Sequence, residues 1–412
     1  MKYVLIGNSA AAVGCIEGIR RKDPEGEITV VSAERYHTYS RPLISYLLCG
    51  KTDEERMKYR PDTFYSDNGC RLISGVSAQS ILPEKRTVLL SDKSLLTYDK
   101  LLIATGSRPA VPPIKGLESV RKRFTFSSLD DARALEKAIG PESRVLIMGA
   151  GLIGLKCAEG ISGKVNSIAV VDMADHILPS ILDTEGASLV QSHMERRGIR
   201  FLLSDPVKEL YDGAAKLSGG TIVEFDVLVI AVGVRPNVEL VRDAGGEVNR
   251  GICTDEYCRT TLPDVYAAGD CAESLDAVTG EQKVLALLPN AYLQGECAGT
   301  NMAGGAKSYR SAIPMNSVGF FGLHIMTAGS MEGTEYITRT GDSYKRLIVG
   351  ENRLKGFIMI GNVARAGIYT SMIRERTPLD TVDFELILEK PQLMAFTRVR
   401  REEILAGSAE KS

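Results

Sequence analysis

The chain of 412 residues carries almost no net charge, with 50 lysines and arginines against 52 aspartates and glutamates. A balance of −2 gives no reason to expect nucleic acid or an anionic membrane as partner. No apolar run approaches the ~18 residues that a bilayer span requires. Met1-Lys-Tyr-Val-Leu-Ile-Gly7 enters a strand-like run at once, which leaves no room for a signal peptide, so a cytoplasmic location is expected. The eight cysteines form no close-spaced framework and no C-x-x-C pair. That pattern fits a reducing compartment and excludes a zinc or iron–sulfur cluster motif. The remaining composition, 44% hydrophobic and 25% charged, is that of an ordinary globular protein, long enough for two or three domains.

What is present is concentrated in short motifs. Arg144-Val-Leu-Ile-Met148 reads as a strand, and Gly149-Ala-Gly151-Leu152-Ile153-Gly154 follows it directly. This is G-x-G-x-x-G at the junction of a strand and a helix. Its glycines allow a tight turn, close approach to a pyrophosphate and close packing of helix on strand. Ile168-Ala-Val-Val-Asp172 then ends a second strand in an acid able to accept the ribose hydroxyls of NAD. No arginine stands near Asp172 to receive a 2′-phosphate, so NADH is expected over NADPH.

A degenerate copy of the same unit opens the chain. The strand-like Tyr3-Val-Leu-Ile6 leads to Gly7-Asn8-Ser9-Ala10-Ala11-Ala12, then a helix of small residues, then Ile28-Thr-Val-Val31 with Glu34 just beyond. Ser9 replaces the second glycine, where its hydroxyl could donate to a phosphate. Taken alone, the segment has an ordinary strand–turn–helix as its lesser alternative. The correspondence continues, however: Tyr98-Asp-Lys-Leu-Leu-Ile-Ala104-Thr105-Gly106-Ser-Arg108-Pro109 is echoed by Phe225-Asp-Val-Leu-Val-Ile-Ala-Val-Gly233-Val-Arg-Pro236. One βαβ nucleotide unit is used twice, with different insertions. Two such units in one chain imply two nucleotide ligands and electron transfer between them.

A third motif decides the family. Thr260-Thr-Leu-Pro-Asp-Val-Tyr-Ala-Ala-Gly269-Asp270 resembles the flavin-contacting segment of the pyridine nucleotide-disulfide oxidoreductase superfamily. The resemblance covers roughly residues 1–360. It implies an α/β fold with two Rossmann-like domains, for FAD and NAD, and a small α+β C-terminal domain. Asp270 would then bond the ribityl or phosphate region of FAD. A helix starting at Leu288-Pro289 would aim its N-terminus at the flavin pyrimidine, where its partial positive charge stabilises the reduced, anionic ring. The chain is most similar to the NADH:rubredoxin reductase and nitrite reductase FAD-domain branch. Arg41-Pro42-Leu-Ile-Ser45 resembles that branch's Arg-Pro-x-x-Ser element, in which the arginine contacts the FAD pyrophosphate; otherwise Arg41 fixes the loop before Pro42.

The redox disulfide of the superfamily is missing. Only Cys49 lies in the corresponding stretch, near the end of a helix expected to begin at Pro42, and it reads as structural. Cys253 and Cys258 have the four-residue gap but lie in an extended stretch. No histidine follows His324, so the C-terminal His–Glu pair of glutathione-reductase-like members is absent too. FAD is thus expected to be the sole redox centre. Relatives place a lysine just after the Arg-Pro-x-x-Ser element and a glutamate two residues beyond G-x-G-x-x-G; Tyr46 and Lys156 hold those positions here. Lys156 either tunes the flavin or orients the nicotinamide, or it snorkels to solvent.

The expected layout has the FAD domain at 1–113 and 238–309, the NAD domain at 114–237 between them, and a C-terminal interface domain with a helical tail at 310–412. Prolines mark the crossovers at Arg108–Pro113 and Val234–Asn237. Pro378–Ala406 reads as helical, with Arg398, Arg400 and Arg401 forming a basic patch that either docks an acidic electron carrier or is a solvated face. Gly407–Ser412 is expected to fray. The function expected is NADH-dependent FAD oxidoreduction, with electrons passing to a small redox protein such as rubredoxin or ferredoxin, or to a metal-containing partner subunit. An NADH oxidase using oxygen and an NADH-responsive interaction protein are the alternatives. A homodimer or a hetero-oligomer is compatible with each.

Overall fold

The computed structural model describes residues 1–405, which divide into two compact units. The first comprises Met1–Leu178, Glu195–Asp276 and Glu281–Ala312. Two five-stranded parallel sheets dominate it. One has the order β10-β4-β1-β2-β3, from Val265–Ala267, Lys100–Ile103, Lys2–Ile6, Glu27–Ser32 and Cys70–Ser74. The other has the order β8-β7-β6-β9-β5, from Ile199–Leu202, Ser167–Val171, Arg144–Met148, Val227–Ile230 and Arg123–Thr125. Strands covered on both faces need uninterrupted apolar runs. Val4–Ile6 and Val145–Met148 are accordingly buried throughout.

Helix α1 (Ala10–Arg20) follows β1, and α5 (Leu288–Met302) lies along it. The two backbones approach so closely that a Cβ on Gly295 would sit 1.9 Å from the Ala11 carbonyl oxygen, and one on Gly14 would sit 2.2 Å from that of Tyr292. Gly18 and Gly299 extend the same seam. The small residues of α1 therefore serve close helix packing as well as the turn before it. The two sheets are joined by a short antiparallel pair, Ser107–Pro109 with Val234–Pro236.

The second unit comprises Pro179–Met194, Ala277–Gly280 and, among the described residues, 313–405. Its antiparallel sheet has the order β11-β12-β15-β14-β13, from Met315–Phe320, Leu323–Gly329, Arg353–Ile360, Ser343–Gly350 and Thr334–Thr340. Phe357 and Leu347 pack there with Tyr369 and Ile373 of α6 (Ala366–Arg374). Helix α4 (Thr184–Glu195), which connects β7 to β8 in sequence, belongs to this unit up to Met194. Asp183, just before it, accepts bonds from the Tyr344 hydroxyl at 2.6 Å and the Arg346 guanidinium at 2.7 Å.

Two local expectations are corrected. The helix at Pro42 is a 3₁₀ turn, Arg41–Leu43, followed by the short α2 (Ile44–Leu48), with Cys49 at its C-cap. The tail is not one helix but α7 (Phe384–Glu389) and α8 (Arg398–Leu405), with a 3₁₀ turn at Leu393–Ala395 between them. Lys390 is extended at φ −152° and ψ 123° because it precedes Pro391, whose ring disfavours the α region at the preceding residue. Within the tail, Arg398 pairs with Glu402 at 2.9 Å and Arg400 pairs with Glu375. The expectation for Gly407–Ser412 lies outside the described residues. Among the described residues no helix is long and apolar enough to cross a membrane.

Candidate functional site: two nucleotide turns in one unit

The first turn is built at the carboxyl end of β1, where ligands of parallel sheets bind. Gly7 donates its N–H to Val31 at 2.8 Å and adopts φ +122°, a conformation open to glycine. A Cβ there would lie 2.0 Å from the Ala104 carbonyl oxygen. Ser9 is the N-cap of α1, yet its hydroxyl makes no capping bond, so the first N–H groups of α1 have no side-chain acceptor from it. Ala10 and Ala11 form the buried first turn of the helix.

Glu34, beyond β2, accepts the Tyr39 hydroxyl at 2.8 Å and pairs with the guanidinium of Arg41. Arg41 also donates to the Ser127 carbonyl at 3.2 Å, and its neighbour Pro42 starts the 3₁₀ turn. Asp270 receives the Ser107 hydroxyl at 3.2 Å. Burial raises the Asp270 carboxyl above the usual carboxylate range, against the Ser107 hydrogen bond and the nearby charge of Arg41. Gly269 donates its N–H to the Gln294 side chain of α5 at 2.7 Å. Pro289 occupies the first turn of α5, as the fixed φ of proline favours. Glu34, Arg41 and Asp270 were legible in the sequence; Ser107 and Gln294 were not, because only the fold brings them to Gly269 and Asp270.

The second turn repeats this geometry with different partners. Gly149 donates to Val171 at 2.8 Å, as Gly7 does to Val31. Asp172 accepts the Ala150 N–H at 2.6 Å and the Ala174 N–H at 2.9 Å, so it braces the glycine-rich turn from the next strand. Gly151 is the N-cap of α3 (Leu152–Ile161), and a Cβ there would meet nothing within 4 Å. Leu152 and Ile153 are half-buried. Gly154 is pressed against the turn, since a Cβ there would lie 2.0 Å from the Gly149 carbonyl oxygen.

The echoed motifs meet each other at the crossover. The Thr105 hydroxyl donates to the Asn237 carbonyl at 2.9 Å, and the Asn237 side chain returns a bond to the Thr105 carbonyl at 2.9 Å. Gly106 accepts from the Asn237 N–H, and Gly233 from the Ala110 N–H. Arg108 is engaged by Glu239 at 2.6 Å and Asn237 at 2.7 Å.

Lys156 does not snorkel freely into water. Its ammonium pairs with Glu159, whose side chain is 5% exposed, and sits over the Tyr46 ring, 4.4 Å from the centroid. Lys51 adds a second cation, 3.6 Å from Glu159 and 5.6 Å from the Tyr46 centroid. The two positions singled out in the sequence are thus in contact, as a cation–π pair, and Glu159 is the partner that sequence reading missed. A buried carboxylate persists when paired in this way.

Two glycine turns, one leading into a buried helix start and one into a half-buried helix start, each with an acid after its second strand, suit two dinucleotides. The chain matches the family model for pyridine nucleotide-disulphide oxidoreductases over residues 1–295 and belongs to that family, whose members are FAD-dependent and use NADH. It is 33% identical over 391 residues to the NADH-dependent phenylglyoxylate dehydrogenase subunit epsilon of Aromatoleum evansii, covering 92% of each chain. It is 29% identical over 425 residues to the NAD(P)H nitrite reductase of Bacillus subtilis (strain 168), covering 98% of this chain and 52% of that one. The chain therefore spans about half the length of that relative. The covalent putidaredoxin reductase–putidaredoxin complex shares the fold, with a TM-score of 0.87, 22% identity and 99% of each chain covered.

Proposed function

We propose that this chain is a cytoplasmic, NADH-linked flavoprotein that passes electrons to a metal-containing partner subunit or a small redox protein. The observation that carries this reading is the presence of two glycine turns, each followed by a helix and by an acid after the next strand, within one compact unit. The relative in Aromatoleum evansii is by its name one subunit of an NADH-dependent dehydrogenase, and its length matches this chain. A separate subunit that links NADH to a larger enzyme is the simplest role consistent with that match.

The residues of the first turn fit FAD. The N–H groups of α1 at Ser9–Ala11 and the guanidinium of Arg41 would meet the pyrophosphate. Glu34 would accept the adenosine ribose, Asp270 with Gly269 would hold the ribityl region, and the α5 N-terminus at Pro289 would face the pyrimidine. Ala104, Thr105 and Gly106 would line the approach. Bound FAD supplies the redox chemistry, accepting a hydride and returning electrons singly. NADH is the substrate of the second turn: Gly149, Gly151, Leu152, Ile153 and Gly154 would cradle its pyrophosphate, Gly233 would border it, and Asp172 would take the ribose and reject a 2′-phosphate. Lys156 is assigned to the flavin–nicotinamide junction, oriented by Glu159 and Tyr46. Arg108 serves the crossover, through Glu239, more than the cofactor. The FAD domain is taken as 1–113 with 238–309, the NAD domain as 114–237, and the C-terminal domain as 310–412.

The test is anaerobic. The flavin-loaded protein is mixed with NADH and, separately, oxidised rubredoxin and a [4Fe–4S] ferredoxin, and oxygen consumption is measured in a separate air-equilibrated sample. Reduction of either carrier much faster than oxygen uptake supports the reading. Rapid oxygen uptake with neither carrier reduced would replace it with an oxidase. For Lys156, the readout is the flavin midpoint potential: Lys156→Met is expected to lower it, and an unchanged potential would contradict the assignment.

A further inference from the structure

The antiparallel sheet of the second unit ends differently at its two edges. At one edge β11 is mostly covered, with only Ser317 exposed, and Pro314 stands just before it. At the other edge every residue of β13, Thr334-Glu-Tyr-Ile-Thr-Arg-Thr340, is exposed. Tyr336 and Ile337 are 38% and 47% exposed, although both are residues that favour paired strands. Among the described residues β13 pairs only with β14, in an unbroken register from Thr334 with Val349 to Thr340 with Ser343. Gly341 and Asp342 join the two strands by a two-residue turn, so Thr340 and Ser343 form a hydrogen-bonded pair. Pairs alternate from there, and Glu335, Ile337 and Arg339 turn their N–H and C=O groups outward.

An outward row of this kind is a template for another strand, and proteins ordinarily blunt it with lysine, proline or a bulge. β13 has none of the three. Its charges are also answered within its own unit: Glu335 pairs with Arg346 of β14, and Arg339 pairs with Glu185 of α4. The strand is self-complementary. A two-fold axis through Ile337 sets an antiparallel copy so that Ile337 meets Ile337, Glu335 meets Arg339, and Arg339 meets Glu335. These are the three residues whose N–H and C=O groups face outward, so each N–H finds a carbonyl. They also share one face of the sheet, where opposed side chains stand about 5 Å apart, so an opposite-charge pair flanks the central isoleucines on each side. On the other face Tyr336 meets Thr338. Registers centred on Glu335 or on Arg339 would set like charge against like charge.

We propose that β13 is a dimerisation edge, at which a second copy of this chain pairs antiparallel about Ile337. Two five-stranded sheets then become one sheet of ten strands, continuous across two protomers. The contact is isologous: residue 335 of each copy meets residue 339 of the other. It consumes both β13 edges and leaves the mostly covered β11 edges outermost, so it closes as a dimer and does not extend into a fibre. The edge acts independently of the electron acceptor proposed above.

The test follows the flavin-loaded full chain by sedimentation velocity over a hundredfold range of concentration. A two-chain species is expected to build up, and amide exchange in 334–340 is expected to slow in step with it. Glu335→Lys sets a like charge against Arg339 of the other copy, and Arg339→Glu does the same to Glu335. Each variant alone is expected to associate roughly 10-fold or more weakly than wild type. Mixed in equal amounts, the two variants restore opposite charges at both positions, and the two-chain species is expected to return. A wild-type chain that stays single throughout would overturn the proposal. So would variants that associate as wild type does, or a mixture that stays single. The wild-type exchange record decides the matter even if a variant fails to fold, since a two-chain species with unchanged exchange in 334–340 would put the contact elsewhere.

Discussion

The two nucleotide turns share a plan and differ in how the rest of the chain treats them. In both, an aspartate ahead of the strand beside the central one receives the backbone N–H that starts the central strand: Asp99 takes that of Lys2 at 2.7 Å and Asp226 that of Arg144 at 2.8 Å. In both, the first glycine bonds to the end of the adjacent strand. The first turn of α1, however, is buried at Ala10, Ala11 and Ala12, and α5 is pressed along it. The start of α3 is half-exposed, and Gly151 faces open space. The acids differ as well. Glu34 is tied to side chains, Arg41 and Tyr39, whereas Asp172 is tied to its own turn's backbone. The same βαβ unit thus leads into a helix start enclosed by α5 in one copy and into a half-exposed helix start in the other, while the turn residues themselves are half-buried at Gly7, Asn8 and Ser9 and buried at Gly149 and Ala150.

The largest way to break this comparison is through α1, the helix that α5 covers. Gly295→Val is expected to cost about 3 kcal/mol or more and to release the flavin, because its Cβ has no room against Ala11. Thermal unfolding and the flavin-to-protein absorbance ratio measure both. The matched change on the open side, Gly151→Ala, is expected to cost under about 1 kcal/mol, since its φ of −83° suits alanine and its Cβ meets nothing. Its flavin content should be normal and its KM for NADH raised. Equal destabilisation by the two changes would remove the distinction.

Next in size are the acids. Asp172→Ala is expected to raise the KM for NADH by roughly 10- to 100-fold, the worth of lost hydrogen bonds to a charged group, at unchanged flavin content. Glu34→Gln is expected to do the reverse, weakening flavin retention and leaving the KM for NADH in the residual holoenzyme unchanged. Steady-state kinetics beside flavin titration separate the two outcomes.

The smallest effect lies at the shared aspartate. Arg144 holds the Asp226 carboxyl below the ordinary carboxylate range, through its side chain and then its backbone N–H. A lowered carboxyl contributes stability above its unfolded pKa, and that contribution is lost as pH falls through the folded value. Asp226→Asn should therefore flatten the acid limb of the stability curve. The pair is more than a third exposed and solvent-screened, so the effect at neutral pH should stay below about 1 kcal/mol. Denaturant midpoints from pH 7 down to pH 3 measure it.

Much of this was legible in the chain because it is local. Gly149–Gly154 with Asp172, Gly7 with Glu34, and the echoed segments before Pro109 and Pro236 each occupy a few residues, and turn chemistry fixes what they do. The long-range pairings were not legible. Gly14 and Gly18 gave no sign that Gly295 and Gly299 would face them, because a helix–helix seam depends on the fold that aligns it. Ser107 and Gln294 are ordinary polar residues until Asp270 and Gly269 are brought beside them. Glu159 lies only three residues from Lys156, yet its burial, not its spacing, gives it meaning. The broken tail was within reach, since Pro391 sits in plain view and forces Lys390 out of the helix. The four-residue gap between Cys253 and Cys258 marks no disulfide, since both are free thiols.

The central claim is that the second turn delivers hydride from NADH to flavin held at the first. An anaerobic stopped-flow record of flavin absorbance, on mixing with NADH and then NADPH, tests it most directly. Fast bleaching with NADH and slow or absent bleaching with NADPH is the predicted result. A flavin that stays oxidised with both nucleotides would contradict the account.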